Sequence, residues 1–252
     1  MKNLLKLMFA VIATIAVTGC IEKQKVTEKA VSQEPRQAVI TFTFDDAPKS
    51  VATHAFSLLR DNDMLATVYL STKFMDESGY VSWADVKAFD SRGWEIGAHT
   101  HTHANLTAIP EVGIMQELET STKMFKDRGY APTSFAAPLG ELNPIGKKII
   151  QQFYASQRDA WGNGGMNALP VQDVYHIKSL PLTDKMTMAD INATLDRLEQ
   201  EGGWLVLQFH DVGPVSTGPW STTLLSEIVA EVKRRNIPVA TISEVLKHHS
   251  VQ

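Results

Sequence analysis

Val39-Ile-Thr-Phe-Thr-Phe44, followed at once by Asp45-Asp46, sets the pattern of this chain: an apolar run of β-branched and aromatic residues ends on acidic side chains. The pattern recurs. Trp94-Glu-Ile-Gly-Ala98 runs into His99-Thr-His-Thr-His103, and Thr133-Ser-Phe-Ala-Ala137 into Pro138. Ala155-Ser-Gln-Arg158 meets Asp159, and Trp204-Leu-Val-Leu-Gln-Phe209 meets His210-Asp211. A further strand is expected at 66–71, with short ones at 174–177 and 239–240. Between them, apolar residues at helical spacing predict helices at 50–61, 82–91, 111–128, 143–154, 186–200, 221–235 and 242–249. Ser82 is a suitable N-cap, and Gly129 a helix-stopping glycine.

Strands alternating with helices imply parallel pairing and right-handed crossovers. The polar candidates follow the ends of four or five different strands. A closed (β/α) barrel brings those ends to one mouth, whereas an open sheet would spread them apart. The expected fold is therefore α/β: a single-domain, deformed (β/α) barrel.

The residue types at that mouth suggest a reaction class. Two imidazoles and a carboxylate (His99, His103 and Asp46) are the set a divalent cation takes for hydrolysis, with positions left for water and substrate. The second carboxylate, Asp45, suits a base that takes a proton from the water. Asp46 has a plainer alternative as a cap on the helix near Lys49. His101 has the wrong spacing to share a face with the other two histidines, and Thr100 or Thr102 is a candidate to orient a ring nitrogen. His210 at another strand end suits proton donation to a leaving group. His54, His176, His248 and His249 lack such context and read as ordinary residues.

The N-terminus reads separately. Lys2 and Lys6 precede a short apolar stretch at 7–18, which has the character of a secretory signal and is short for a membrane span. It ends in Val17-Thr18-Gly19-Cys20, which resembles the bacterial lipobox, and Cys20 is the sole cysteine. The expected organisation is a signal peptide at 1–19, a lipidated Cys20 and flexible tether at 20–37, and a catalytic domain at 38–252. Membrane attachment is expected through the Cys20 lipid. Ile21, where an inner-membrane retention Asp would sit, leans the location to the outer membrane facing the periplasm. Net charge is −4 with no basic run, which argues against a nucleic-acid partner. Oligomeric state is not legible.

Together these motifs resemble the NodB-homology polysaccharide deacetylases, carbohydrate esterase family four, over roughly residues 38–248. The family's Thr-Phe-Asp-Asp stands here as Thr43-Phe44-Asp45-Asp46, and its His-Ser/Thr-x-x-His as His99-Thr100-His101-Thr102-His103. Its Arg-x-Pro-Tyr is degraded to Ala136-Ala137-Pro138-Leu139. Its Asp/Trp motif matches Asp159-Ala160-Trp161, and its Leu-x-x-His is contained in Leu207-Gln208-Phe209-His210. The resemblance implies removal of N- or O-acetyl groups from a polysaccharide or oligosaccharide by a divalent metal, zinc first, with cobalt, nickel or iron as alternatives. Carried over, Asp46, His99 and His103 hold the metal and Asp45 is the base. His210 is the acid, held by Asp159. Pro138 and Trp161 meet substrate, and the Leu139 N–H faces the oxyanion. Ala136 replaces an arginine that steadies the base in the family, and Arg158 is expected to supply that guanidinium from the neighbouring motif. Two other classes compete. A glycoside hydrolase on a similar barrel would leave the histidines unexplained. A non-catalytic carbohydrate- or metal-binding lipoprotein would release no acetate.

Overall fold

In a computed structural model, residues 37–140, 142–159, 162–183, 185–213 and 221–250 are described, all within one compact unit, Pro35–Gln252. The strands are β1 (Ala38–Phe44), β2 (Ala66–Leu70), β3 (Glu95–Ala98), β4 (Ser134–Ala136), β5 (Ser156–Arg158), β6 (Met166–Asn167), β7 (Leu180–Pro181) and β8 (Gly203–Phe209). The helices are α1 (Phe56–Arg60), α2 (Trp83–Ser91), α3 (Glu111–Asp127), α4 (Pro144–Ile150), α5 (Met188–Glu201), α6 (Thr222–Arg234) and α7 (Ile242–His249).

The sheet runs β5-β4-β3-β2-β1-β8-β6 and curls into a deformed barrel. Its pairs are parallel from β5 to β8, with Phe44 opposite both Val68 and Phe209. The segment after β6 carries the sheet round: Ile177 bridges to Arg158 of β5, while β7 pairs with β8 at Leu180–Leu207 and Pro181–Gln208. This explains two departures from expectation. The strand expected at 174–177 is reduced to that single bridge, and the one at 239–240 to a bridge between Val239 and Ile40. Short β6 and β7 were not expected. Two residues carry too little periodicity to be read, and β6 pairs antiparallel to β8 against the parallel rule.

Alternation along the strands divides the core in two. Ile40, Phe42 and Phe44 of β1, with Leu205, Leu207 and Phe209 of β8, pack outward against the helices. Val39, Tyr69, Ala136, Trp204 and Val206 pack together on the other side, where Ile242 and Val245 of α7 join them. A strand points successive residues to opposite faces, so Asp45 shares the inner parity of Val39, Thr41 and Thr43. Gln208 shares that of Trp204 and Val206. Inner hydroxyls are satisfied: Thr41 Oγ1 donates to the Ala240 carbonyl at 2.7 Å, and Thr43 Oγ1 to the Leu207 carbonyl at 3.0 Å.

Local signals held for most helices. Ser82 caps α2 in a reciprocal capping box with Asp85, and Gly129 has φ of 83° just beyond α3. The helix expected at 50–61 instead opens with a π turn over Val51–Ala55 before α1. That wide turn follows directly on the Asp45-Asp46 corner, a common place for such irregularity.

Candidate metal centre and active site

Asp46, His99 and His103 converge. Asp46 Oδ1 lies 3.3 Å from His99 Nε2 and 3.1 Å from His103 Nε2. The ring position of His99 is set by a 2.7 Å contact from its Nδ1 to the Ala136 carbonyl. A carbonyl only accepts, so Nδ1 carries the proton and Nε2 of the neutral ring presents a lone pair. Asp46 Oδ1 is buried and makes no hydrogen bond. The three ligand atoms lie within 4.8 Å of one another, and a positive charge among them, a ring proton or a cation, offsets the charge of the carboxylate. That donor set of two imidazole nitrogens and one carboxylate oxygen fits a divalent cation.

The electrostatics agree. Burial alone would raise the Asp46 carboxyl, but the imidazoles of His103 and His99 outweigh it and hold it well below the usual carboxylate range. The Asp46 carboxylate in turn raises His103, against its partial burial. Asp46 is not a helix cap: Ser50 occupies the N-cap position before the π turn. The expected ring-orienting role of Thr100 or Thr102 is corrected by the Ala136 carbonyl. His101 turns away, its Nδ1 3.0 Å from Thr72 Oγ1.

Backbone strain gathers at the same place. Eight non-glycine residues among those described have positive φ, and five of them are Asp46, Ala47, Thr100, His103 and Leu139. Each left-handed conformation costs an L-residue about 1–2 kcal/mol. Such strain persists where the surroundings over-determine a functional geometry.

Asp45 is 2% exposed at the end of β1, with its N–H bonded to the Phe209 carbonyl at 2.9 Å. Its Oδ2 accepts from Arg158 Nη2, a contact at closest hydrogen-bonding range, and from Gln208 Nε2 at 2.9 Å. Its Oδ1 is buried with no hydrogen-bond partner, the arrangement of a carboxylate fixed by one oxygen with the other held in reserve. Arg158 itself is 1% exposed, with its guanidinium carbon 5.2 Å from the centre of the Tyr69 ring. Its Nη1 donates to Ser179 Oγ and to the Asp159 carbonyl, both at 3.2 Å. The structure thus brings the guanidinium of Arg158 to Asp45, while Ala136 supplies only its carbonyl to His99.

Gln208 and Ser179 went unread in the sequence. Ser179 Oγ lies 2.9 Å from Gln208 Oε1, so the barrel-closing segment props the amide that holds Asp45. The available signal was a polar residue at inner parity in the otherwise apolar β8. Asp159 Oδ1 accepts from Gln157 at 2.7 Å, and its Oδ2 pairs closely with His176. His176, read as an ordinary residue, is thus a partner of Asp159. Burial raises the Asp159 carboxyl, opposed first by His176.

His210 directly follows β8, one residue beyond the Phe44–Phe209 pair that ends the β1–β8 ladder. Pro138 is buried after β4, and Leu139 is 57% exposed with φ of 58°. Trp161 and Cys20 lie outside the described residues, as do the expected signal and all of the tether but Gln37.

Residues 32–154 match a family model described as polysaccharide deacetylase. A probable peptidoglycan-N-acetylglucosamine deacetylase of Arthroderma benhamiae is 21% identical over 214 residues, covering 83% of this chain and 44% of that protein. A peptidoglycan-N-acetylglucosamine deacetylase of Listeria monocytogenes is 27% identical over 174 residues, covering 65% of this chain and 36% of that protein. The chain therefore spans less than half the length of these two relatives. The fold is shared with a family 4 acetyl xylan esterase from Clostridium thermocellum, solved with a cobalt ion. It aligns with TM-score 0.61 and 19% identity over 83% of this chain and 90% of that one. The family model covers just under half of the chain, and the solved structure shares its barrel fold.

Proposed function

We propose that this protein is a divalent-metal-dependent deacetylase that removes N- or O-acetyl groups from a polysaccharide or oligosaccharide at the bacterial cell envelope. One observation carries the reading: Asp46, His99 and His103 turn three lone-pair atoms toward one point, beside a buried carboxylate pinned through a single oxygen. A divalent cation, zinc first by the donor set, supplies Lewis-acid polarisation of the acetyl carbonyl and acidifies water.

The chain's own groups do the rest. Asp45 takes the water proton at Oδ1 while Arg158 and Gln208 hold Oδ2. The Leu139 N–H faces the developing oxyanion, and a backbone donor serves whatever the side chain. His210 gives a proton to the departing sugar amine or hydroxyl. Pro138 borders the sugar, the role the Asp/Trp motif also suggests for Trp161. Asp159 pairs with His176, and its carbonyl accepts from Arg158. The likeness to peptidoglycan deacetylases and to an acetyl xylan esterase favours an acetylated glycan as substrate. The lipobox-like Val17-Thr18-Gly19-Cys20 favours a lipid anchor in the outer membrane.

The test is acetate release from chitooligosaccharides, peptidoglycan, poly-N-acetylglucosamine and acetylated xylan, with and without chelator, for wild type and Asp45→Asn. Chelator-sensitive release abolished by Asp45→Asn supports the reading. Glycan binding without acetate on any substrate would instead support the non-catalytic alternative, and bond cleavage between sugars the glycosidase one.

A further inference from the structure

The loop that carries the metal-ligating histidines is strained at both ends: Thr100 has φ of 66° and His103 φ of 59°. Something must offset that cost, and the loop's own short span offers little. On one side, Thr72 N–H bonds the Thr100 carbonyl at 3.3 Å and Lys73 N–H the His101 carbonyl at 2.9 Å. On the other side stands Glu117, half-buried on α3 between the buried Ile114 and Leu118. Its Oε2 accepts the N–H groups of His101 at 2.9 Å and Thr102 at 2.7 Å, and its Oε1 accepts from Thr102 Oγ1 at 2.7 Å. No assigned motif includes this residue.

We infer that Glu117 is a positioning residue for the metal centre: it clamps the 100–103 loop in its left-handed form so that His99 and His103 face Asp46 before the cation arrives. The inference rests on the metal-dependent reading above and deepens it. Hydrogen bonds to a carboxylate are among the stronger ones a protein makes, and three of them act against the strain of two left-handed residues. Without the clamp the loop relaxes, and cation binding must restore the strained form. Outer supports of metal ligands change affinity about 10–100-fold when removed.

The experiment titrates Co2+ alone into the full metal-free chain by calorimetry, and measures thermal unfolding of the same samples. Glu117→Leu, which keeps side-chain bulk and helix propensity, is expected to weaken Co2+ binding about 10–100-fold. Glu117→Gln is expected to stay within about threefold of wild type. Its carbonyl can still accept both backbone N–H groups, and its amide can donate to Thr102 Oγ1. A merely structural role would lower the metal-free melting temperature and leave the Co2+ Kd unchanged. Should Glu117→Leu not fold by circular dichroism, Thr102→Val removes one arm of the clamp and is expected to weaken binding about 2–5-fold. Wild-type affinity in the folded Leu or Val variant overturns the clamp, as does a Gln variant as weak as Leu. If wild type itself takes up no Co2+, the metal-dependent reading falls and the clamp with it.

Discussion

Replacing Arg158 with Met isolates the contact on which Asp45 depends. Arg158 and Asp45 are 1% and 2% exposed, so neither charge has water to fall back on. Met occupies much of the same volume and keeps apolar contact with Tyr69, which limits any cavity. What remains is a buried carboxylate whose other side-chain donor among the described residues is the neutral amide of Gln208. Breaking a buried pair by removing one partner costs about 3–5 kcal/mol, mostly from the charge left behind. If that is the cause, removing the charge recovers stability: Arg158→Met/Asp45→Asn should unfold at higher urea than Arg158→Met alone. Between the two sites the coupling should be at least about 2 kcal/mol, within the span of measured interacting pairs. Equilibrium urea unfolding followed by tryptophan fluorescence gives the midpoints, and an unchanged slope shows that the unfolded state is the same. Additive effects, or an Arg158→Met variant within about 1 kcal/mol of wild type, would refute the idea that Arg158 neutralises and holds Asp45.

Further outcomes follow from the same geometry. Gln208→Leu leaves the Arg158 contact but frees Asp45 to rotate, so acetate release should fall about 10–100-fold through kcat with KM little changed, in steady-state kinetics. Leu139→Gly keeps the N–H and relieves a left-handed leucine; stability should stay within about 1 kcal/mol of wild type and activity should persist. Leu139→Pro, which removes the N–H and forbids the observed φ, should abolish acetate release. For pH, Asp46 raises His103, so protonated His103 stabilises the metal-free protein below the unfolded-state pKa near about 6.5. That stabilisation is lost as pH rises through the raised folded value, while cation binding needs the neutral ring and strengthens in the same direction. The melting-temperature gap between Zn2+-loaded and chelated protein should therefore widen from about pH 6 to about pH 8. A gap that narrows would contradict the ligand assignment.

What the sequence disclosed was whatever is local in it. β1 and β8 are long enough for their apolar runs to be read. The corner at Asp45-Asp46 and the spacing of His99 and His103 placed three ligand candidates on two strand ends, and parallel topology made those ends neighbours. Arg158 was read as the substitute for the arginine missing at Ala136 because it stands beside Asp159 in the neighbouring motif, and the structure pairs the two positions across β4 and β5. The rest was hidden because it is made by distant segments. Gln208 reaches Asp45 across 163 residues, and Arg158 across 113. His176 meets Asp159 only because the irregular stretch before β7 folds back on β5. Glu117 looked like any polar helix residue, since its role is defined by backbone N–H groups that no side-chain pattern reveals.

The account rests on a cation held by Asp46, His99 and His103, and calorimetric titration of Zn2+ into chelator-treated protein tests it most directly. One site per chain is expected in wild type and in Asp45→Asn, which keeps all three ligands, and none of comparable affinity in Asp46→Ala or His99→Ala. Equal binding by Asp46→Ala and wild type, or no binding by wild type, would contradict it.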